Sequence, residues 1–272
     1  MHRPEHGRAS GPSRRALLRA GGAGAGLVVA GLVSWPRPLG AAGGSRIALT
    51  WFGQSCFLVE SAEGVRILTD PPGRNAGYEL PTGLRVDVVT ISHEHPDHDN
   101  LGMVASPTRV RVLRGLTADR KGWTKIDVRL KDVAVRSIGV YHDDAGSAKY
   151  GLDTIFVFEV SGIRIAHLGD LGHLLDDRQL SAVGSVDVVL VPVGGATTID
   201  ARQATRVIDA LRPRLCIIPM HYRTPTATAT NLATVDEFLE GKSNVRRLGT
   251  RTLHLTAIKS RPAAEIVVMT TS

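Results

Sequence analysis

At 272 residues the chain could hold one large domain or two small ones, and a hydrophobic share of 43% suits a globular protein with a sizeable core. Aromatic residues make up only 4%, so Val, Ile, Leu and Ala must fill that core. The formal charge of +7 invites a nucleic-acid reading, but residues 1–42 carry six arginines against one acid, a net of +5 that leaves +2 for the other 230 residues. No nucleic-acid partner is expected, because the basic balance belongs to the N-terminal segment rather than to a binding face.

That segment reads as an export signal. Ser13-Arg14-Arg15-Ala16-Leu17-Leu18 is a twin-arginine pattern, an apolar run follows from Ala20 to Val33, and small residues stand at Gly40, Ala41 and Ala42. The run is short of the roughly twenty residues that span a bilayer comfortably, so no stable span is expected once the signal is removed. The division expected is therefore a twin-arginine-type signal over 1–42 and one domain over 43–272, exported to the periplasm or beyond. Cys56 and Cys216 each sit in an apolar run, which predicts buried thiols rather than a disulfide.

Residues 46–51, 55–60 and 65–69 read as successive short strands, and Asp70-Pro71-Pro72-Gly73 opens a Gly- and Pro-rich loop that runs to about Arg85. A loop leaving a scaffold at that point could contact a substrate or merely connect. Val86 to Ile91 is a β-branched run that reads as a buried strand. It ends in Ser92-His93-Glu94-His95-Pro96-Asp97-His98-Asp99, three histidines and a carboxylate within six residues, which are ligands for zinc, manganese or iron. A short helix over 100–105 and strands over 110–113, 125–130 and 133–140 follow, the last running into Tyr141-His142-Asp143-Asp144. Strands over 154–160 and 163–168 flank the hairpin signal Ser161-Gly162, and the second ends at Gly169-Asp170. His167 is three residues before Asp170 and faces away from it in an extended strand. A helix over 176–183 has Asp176 and Asp177 at its positive end. Residues 186–191 form a further strand leading into Pro192-Val193-Gly194-Gly195. Ala204, Val207, Ile208 and Leu211 mark an amphipathic helix over 200–211. A buried strand over 215–219 leads to His221, a helix covers 232–239, and three short strands finish the chain. Ligand-type residues at strand ends in both halves imply a sheet-and-helix sandwich with a site along one sheet edge.

His93-x-His95-x-Asp97-His98, followed by His142, Gly169-Asp170 and His221, resembles the signature of the metallo-β-lactamase superfamily of metal-dependent hydrolases. Gly53-Gln54-Ser55-Cys56-Phe57, His167-Leu168-Gly169-Asp170-Leu171-Gly172-His173 and Pro192-Val193-Gly194-Gly195 are similar to the phrasing of its ascorbate-6-phosphate lactonase-like branch. The letters before His142 depart from the commonest form, which puts a glycine directly before that histidine. The resemblance implies an α+β fold, the four-layer αββα sandwich, and two divalent metal ions, zinc first with manganese or iron as alternatives. One ion is assigned to His93, His95 and His142, the other to Asp97, His98 and His221, with Asp170 and a hydroxide bridging. The implied catalytic residues are Asp97 and Asp170, and His173, Tyr222 and Arg223 are candidates for substrate contact. The expected activity is hydrolysis of a lactone- or ester-type small molecule. A phosphodiesterase is the alternative, ahead of a β-lactamase or a non-catalytic metal-binding module. The sequence does not set the oligomeric state.

Overall fold

A computed structural model describes residues 46–105, 109–257 and 263–271; the expected export signal lies outside them. The chain opens with β1 (Arg46–Gly53), β2 (Cys56–Glu60) and β3 (Arg66–Thr69), an antiparallel meander, and continues with β4 (Val88–Ile91) and β5 (Arg111–Arg114) in parallel to β3. Then come β6 (Asp127–Leu130), β7 (Val133–Tyr141), β8 (Leu152–Val160), β9 (Ile163–His167), α1 (Asp177–Val183), β10 (Val188–Pro192), α2 (Ala201–Leu211), β11 (Cys216–Met220) and α3 (Val235–Leu239). The last strands are β12 (Val245–Arg247), β13 (Thr252–Thr256) and β14 (Glu265–Val268). One six-stranded sheet has the order β13-β1-β2-β3-β4-β5, and an eight-stranded one has β12-β14-β11-β10-β9-β8-β7-β6.

The strands alternate where a sheet separates two environments. On the first sheet Leu49, Trp51, Phe57, Val59, Ile67 and Val88 join the core shared with the second sheet, while Phe52, Cys56, Leu58, Leu68, Val89 and Ile91 form a smaller outer cluster. The parallel strands β10 and β11 are buried at every position, as strands covered on both faces must be. Each fully buried Val, Leu or Ile contributes about 1.5–3 kcal/mol. Cys56 and Cys216 are buried thiols on different sheets.

Helices α1 and α2 begin as the sequence leads one to expect. Asp176 and Asp200 each accept the backbone N–H of the third helical residue, and Gln179 and Gln203 reciprocate with their side chains. Ala204, Val207, Ile208 and Leu211 are the buried face of α2, and Arg212 caps it in a left-handed conformation before Pro213. Two expected helices are shorter. Residues 100–105 make only a 3₁₀ turn, Leu101–Met103, with Gly102 at its centre disfavouring continuation. The last helix starts after Thr234, leaving Leu232 buried in the preceding loop. Both α1 and α2 pack on strands of the eight-stranded sheet. Over the six-stranded sheet the outer layer is built from the 70–105 segment, whose Leu80, Leu84 and Val104 cover Leu58, Val89 and Ile91. The four-layer sandwich thus has, among the described residues, one α-helical outer layer and one irregular one.

Candidate metal centre

Strand ends collect the chemistry. β4 delivers His93, His95, Asp97 and His98, β7 delivers His142, β9 delivers Asp170 and β11 delivers His221. Three overlapping groups have ligand atoms within 4.8 Å of one another: His93, His95 and His142; His93, His98 and Asp170; Asp97, His98 and His221. The Asp170 Oδ2 atom lies 3.2 Å from His98 Nε2, 3.4 Å from His142 Nε2 and 3.1 Å from His221 Nε2. The seven sequence-derived ligand candidates therefore form one linked cluster, with three of its histidines against a single Asp170 oxygen.

The far side of each ring decides which nitrogen is left bare. Ser92 Oγ donates to Asp70 Oδ2 at 2.6 Å, so it can only accept from His93 Nδ1, 3.0 Å away. His93 Nε2 is then a lone pair, and it faces His95 Nδ1 at 3.0 Å. His98 Nδ1 gives its proton to Asp70 Oδ2 at 3.1 Å, and His142 Nδ1 gives its proton to the Thr197 carbonyl at 3.1 Å. The Nε2 atoms of both are left to face Asp170 Oδ2, and His98 Nε2 is buried without a hydrogen-bond partner among the described residues. Five histidines and two carboxylates whose ligand atoms converge in this way fit divalent cations, which would displace the protons held between them.

Without an ion, the carboxylates and rings set one another's protonation, and burial of His98 is outweighed by Asp170, Asp70 and Asp97, whose carboxylates hold its ring well above its ordinary value. Burial would raise the Asp170 carboxyl, but the surrounding His221 and His98 hold it well below its ordinary value. Burial lowers His95 to about 4, helped by its histidine neighbours, so its ring is neutral at physiological pH. In His142 burial is outweighed by Asp170, which lifts the ring to about 8. Asp97 lies at the open side with its side chain 41% exposed, held by Gln54 Nε2 at 2.8 Å.

Backbone contacts fix the ligand loops. His221 has a left-handed φ of 50°, costly for a residue with a side chain, and the Gly194 N–H donates to its carbonyl at 3.1 Å. A Cβ at Gly194 would come within 2.2 Å of that same oxygen, which explains a glycine in Pro192-Val193-Gly194-Gly195. The 70–78 loop is tied on both sides of the centre. Asn100 donates from its backbone to Pro71 O at 3.0 Å and from its side chain to Pro72 O at 3.1 Å. Across the site, the Tyr78 hydroxyl is 2.9 Å from Thr224 Oγ1, and Thr228 Oγ1 donates to Asn75 O at 2.6 Å. Between these ties a cleft of about 540 Å³ reaches Asp97, lined also by Gln54, Arg74, Asn75, Pro96 and Thr228.

The expected substrate residues fall elsewhere. His173 accepts from the Tyr141 N–H through Nε2 and is 2.7 Å from the Leu174 carbonyl through Nδ1, so neither ring nitrogen is left for a substrate. Tyr222 packs against Trp51 and, with Arg223, lines a separate hollow of about 710 Å³ whose walls include none of the seven candidate ligands. His167 is buried and bonded to the Ser55 carbonyl at 2.8 Å, in keeping with a packing role. Sequence reading missed Asp70, Gln54 and Asp143. Asp70 looked like the start of a turn, and nothing local marks its contact with His98, 28 residues on.

A two-sheet scaffold with histidine and aspartate donors at its strand ends is the architecture of a metallohydrolase. Comparison with known proteins gives the family. Residues 48–221, which contain every candidate ligand, match the family model described as a beta-lactamase superfamily domain. A UPF0173 protein of Pyrococcus furiosus is 34% identical over 188 residues, 65% of this chain and 83% of the relative. A UPF0173 metal-dependent hydrolase of Carboxydothermus hydrogenoformans is 29% identical over 250 residues, 81% and 99% of the two chains. A crystal structure from Thermotoga maritima, titled as a candidate Zn-dependent hydrolase of the metallo-beta-lactamase superfamily, is 34% identical with a TM-score of 0.61, covering 82% of this chain and 98% of the other. The chain belongs to the metallo-β-lactamase superfamily and is a metal-dependent hydrolase.

Proposed function

We propose that this hydrolase is dinuclear and opens a lactone or small ester. The observation that carries the reading is the single Asp170 oxygen within 3.1–3.4 Å of nitrogens from both ligand groups. In this reading His93, His95 and His142 hold one divalent ion, Asp97, His98 and His221 the other, and Asp170 stands between them. Bound ions of this kind supply Lewis acidity and make water acidic enough to attack near neutral pH. The chain's own groups set the geometry around them. Ser55 Oγ, 3.4 Å from Asp170 Oδ1, and Gln54 on Asp97 keep both carboxylates aimed inward. Asp97 is the one of the seven candidate ligands that lines the cleft, and so the one an incoming substrate would meet first. The small-molecule scale fits a cleft of about 540 Å³. The preference for a lactone comes from the likeness to the ascorbate-6-phosphate lactonase-like branch.

Arg74 favours a second reading. It lines the cleft and makes no hydrogen bond or ion pair among the described residues, an arrangement suited to a phosphodiester. Metal analysis combined with a panel of lactones, p-nitrophenyl phosphodiesters and a chromogenic β-lactam decides between them. The expected result is two divalent ions per chain and lactone or ester turnover that chelation abolishes. Asp170→Asn should then lower the occupancy of both ions together by tenfold or more. Turnover of phosphodiesters alone would select the second reading, and tight metal binding with no turnover at all would leave a binding module.

We infer separately that residues 1–42 are a twin-arginine export signal, on the strength of Arg14-Arg15, the apolar run and the small residues after it. Replacing both arginines with lysine should hold a tagged chain in the cytoplasm; undiminished export would remove this reading.

A further inference from the structure

Asp153 is a carboxylate in a place that ordinarily rejects one. It sits on β8 beside Thr154, Ile155, Phe156, Val157 and Phe158, all buried, and is itself 0% exposed. Neither of its oxygens makes a hydrogen bond among the described residues. A charge left like this is strongly disfavoured unless something nearby compensates it. Its one contact at ion-pair range among those residues is His93 Nδ1, 3.2 Å from Oδ1, too poorly aligned to count as a hydrogen bond.

The surroundings preserve this carboxylate rather than hide it. Trp123 Nε1 donates to the Asp153 carbonyl at 2.9 Å and fixes the backbone. Gly169, with φ of 55°, faces the side chain, and a Cβ there would lie 2.6 Å from Oδ2 and 2.7 Å from Oδ1. The glycine of the Gly169-Asp170 pair therefore makes room for Asp153 directly beside the central Asp170.

Asp70 offers a parallel. It too is 0% exposed and faces the outer nitrogen of a ligand histidine, His98, but Ser92 satisfies it with two further hydrogen bonds. Asp97 and Asp170 alone would half-neutralise two divalent ions. Asp70 behind His98 and Asp153 behind His93 add further carboxylates, one behind each proposed ligand group.

We propose that Asp153 is a positioning residue for the ion held by His93, His95 and His142: Ser92 takes the Nδ1 proton of His93, and Asp153 places a buried carboxylate 3.2 Å behind the same nitrogen. This rests on the dinuclear reading above. Carboxylates standing behind ligand histidines typically alter metal affinity 10–100-fold when removed.

Asp153→Asn keeps the shape and removes the charge. Divalent zinc is titrated into the chelated wild type and variant, and both are melted with and without zinc. One zinc equivalent should bind at least tenfold more weakly in the variant while the other keeps its affinity. The chelated variant should melt at or above the chelated wild type, because an uncompensated charge has gone; the zinc-loaded variant should melt below its wild-type counterpart. A residue that merely packs the strand would lower both melting temperatures and leave both affinities unchanged, and that result overturns the proposal. Should the variant fail to fold, Asp153→Ser is titrated in the same way: one zinc affinity weakened at least tenfold supports the role, and two unchanged affinities overturn it. Two zinc ions bound equally by wild type and variant sink this inference alone, whereas a wild type that takes up no divalent ion sinks the dinuclear reading with it.

Discussion

Asp143, next to His142, shows how much one side chain can organise. Its carboxylate accepts the backbone N–H groups of Ala145, Ser147, Lys149 and Tyr150 at 2.8–3.0 Å, closing the loop that follows the ligand. The loop in turn sets Tyr150 with its ring 5.5 Å from the His142 ring. Burial raises the Asp143 carboxyl, but these four donors outweigh it and bring it to about 2 from an ordinary 3.8. The folded value is the depressed one, so the stabilisation is complete above the unfolded value and fades as pH falls towards 2. Asp143→Asn should therefore cost about 2 kcal/mol at pH 7 in denaturant unfolding. The gap between variant and wild type should stay constant above about pH 5 and narrow below 4; a gap independent of pH down to 2 would show that the charge is not what holds the loop.

At the scale of elements, the strands and helix with strong local signals were legible. The β-branched runs of β4, β10 and β11 announced buried strands, and the spacing of Ala204, Val207, Ile208 and Leu211 announced α2. The clustering of His93, His95 and His98 was legible because their spacing within one turn is itself chemical information. What stayed hidden depends on contacts distant in sequence. The strand was expected to begin at 154, which left Asp153 in the turn before it; β8 in fact begins at Leu152 and takes Asp153 inside, 60 residues from the histidine it faces. His173 looked suited to a pocket because its neighbours did, yet the backbone of Tyr141, 32 residues earlier, occupies it. The irregular layer over the first sheet escaped for a similar reason. Leu80, Leu84 and Val104 are isolated apolar residues in a polar, proline-rich stretch, with no period to mark them as a cover.

For the molecule as a whole, ligands drawn from both sheets mean that a bound ion joins segments far apart in the chain, and metal binding should register as folding stability. At metal concentrations a hundredfold above the dissociation constant the gain for one site is about 2.7 kcal/mol, which for a domain of this size raises the melting temperature by roughly 5–10 °C. Differential scanning calorimetry with added zinc and with chelator measures it; identical melting in both would mean that the native state gains nothing from the ion. The 70–78 loop has a further consequence. It is anchored by Asn100 on one flank and by Thr224 and Thr228 on the other, beside the cleft that reaches Asp97. Cutting those ties, for instance with Thr228→Ala, should loosen the rim of the cleft and show as faster amide exchange at Asn75 and Ala76.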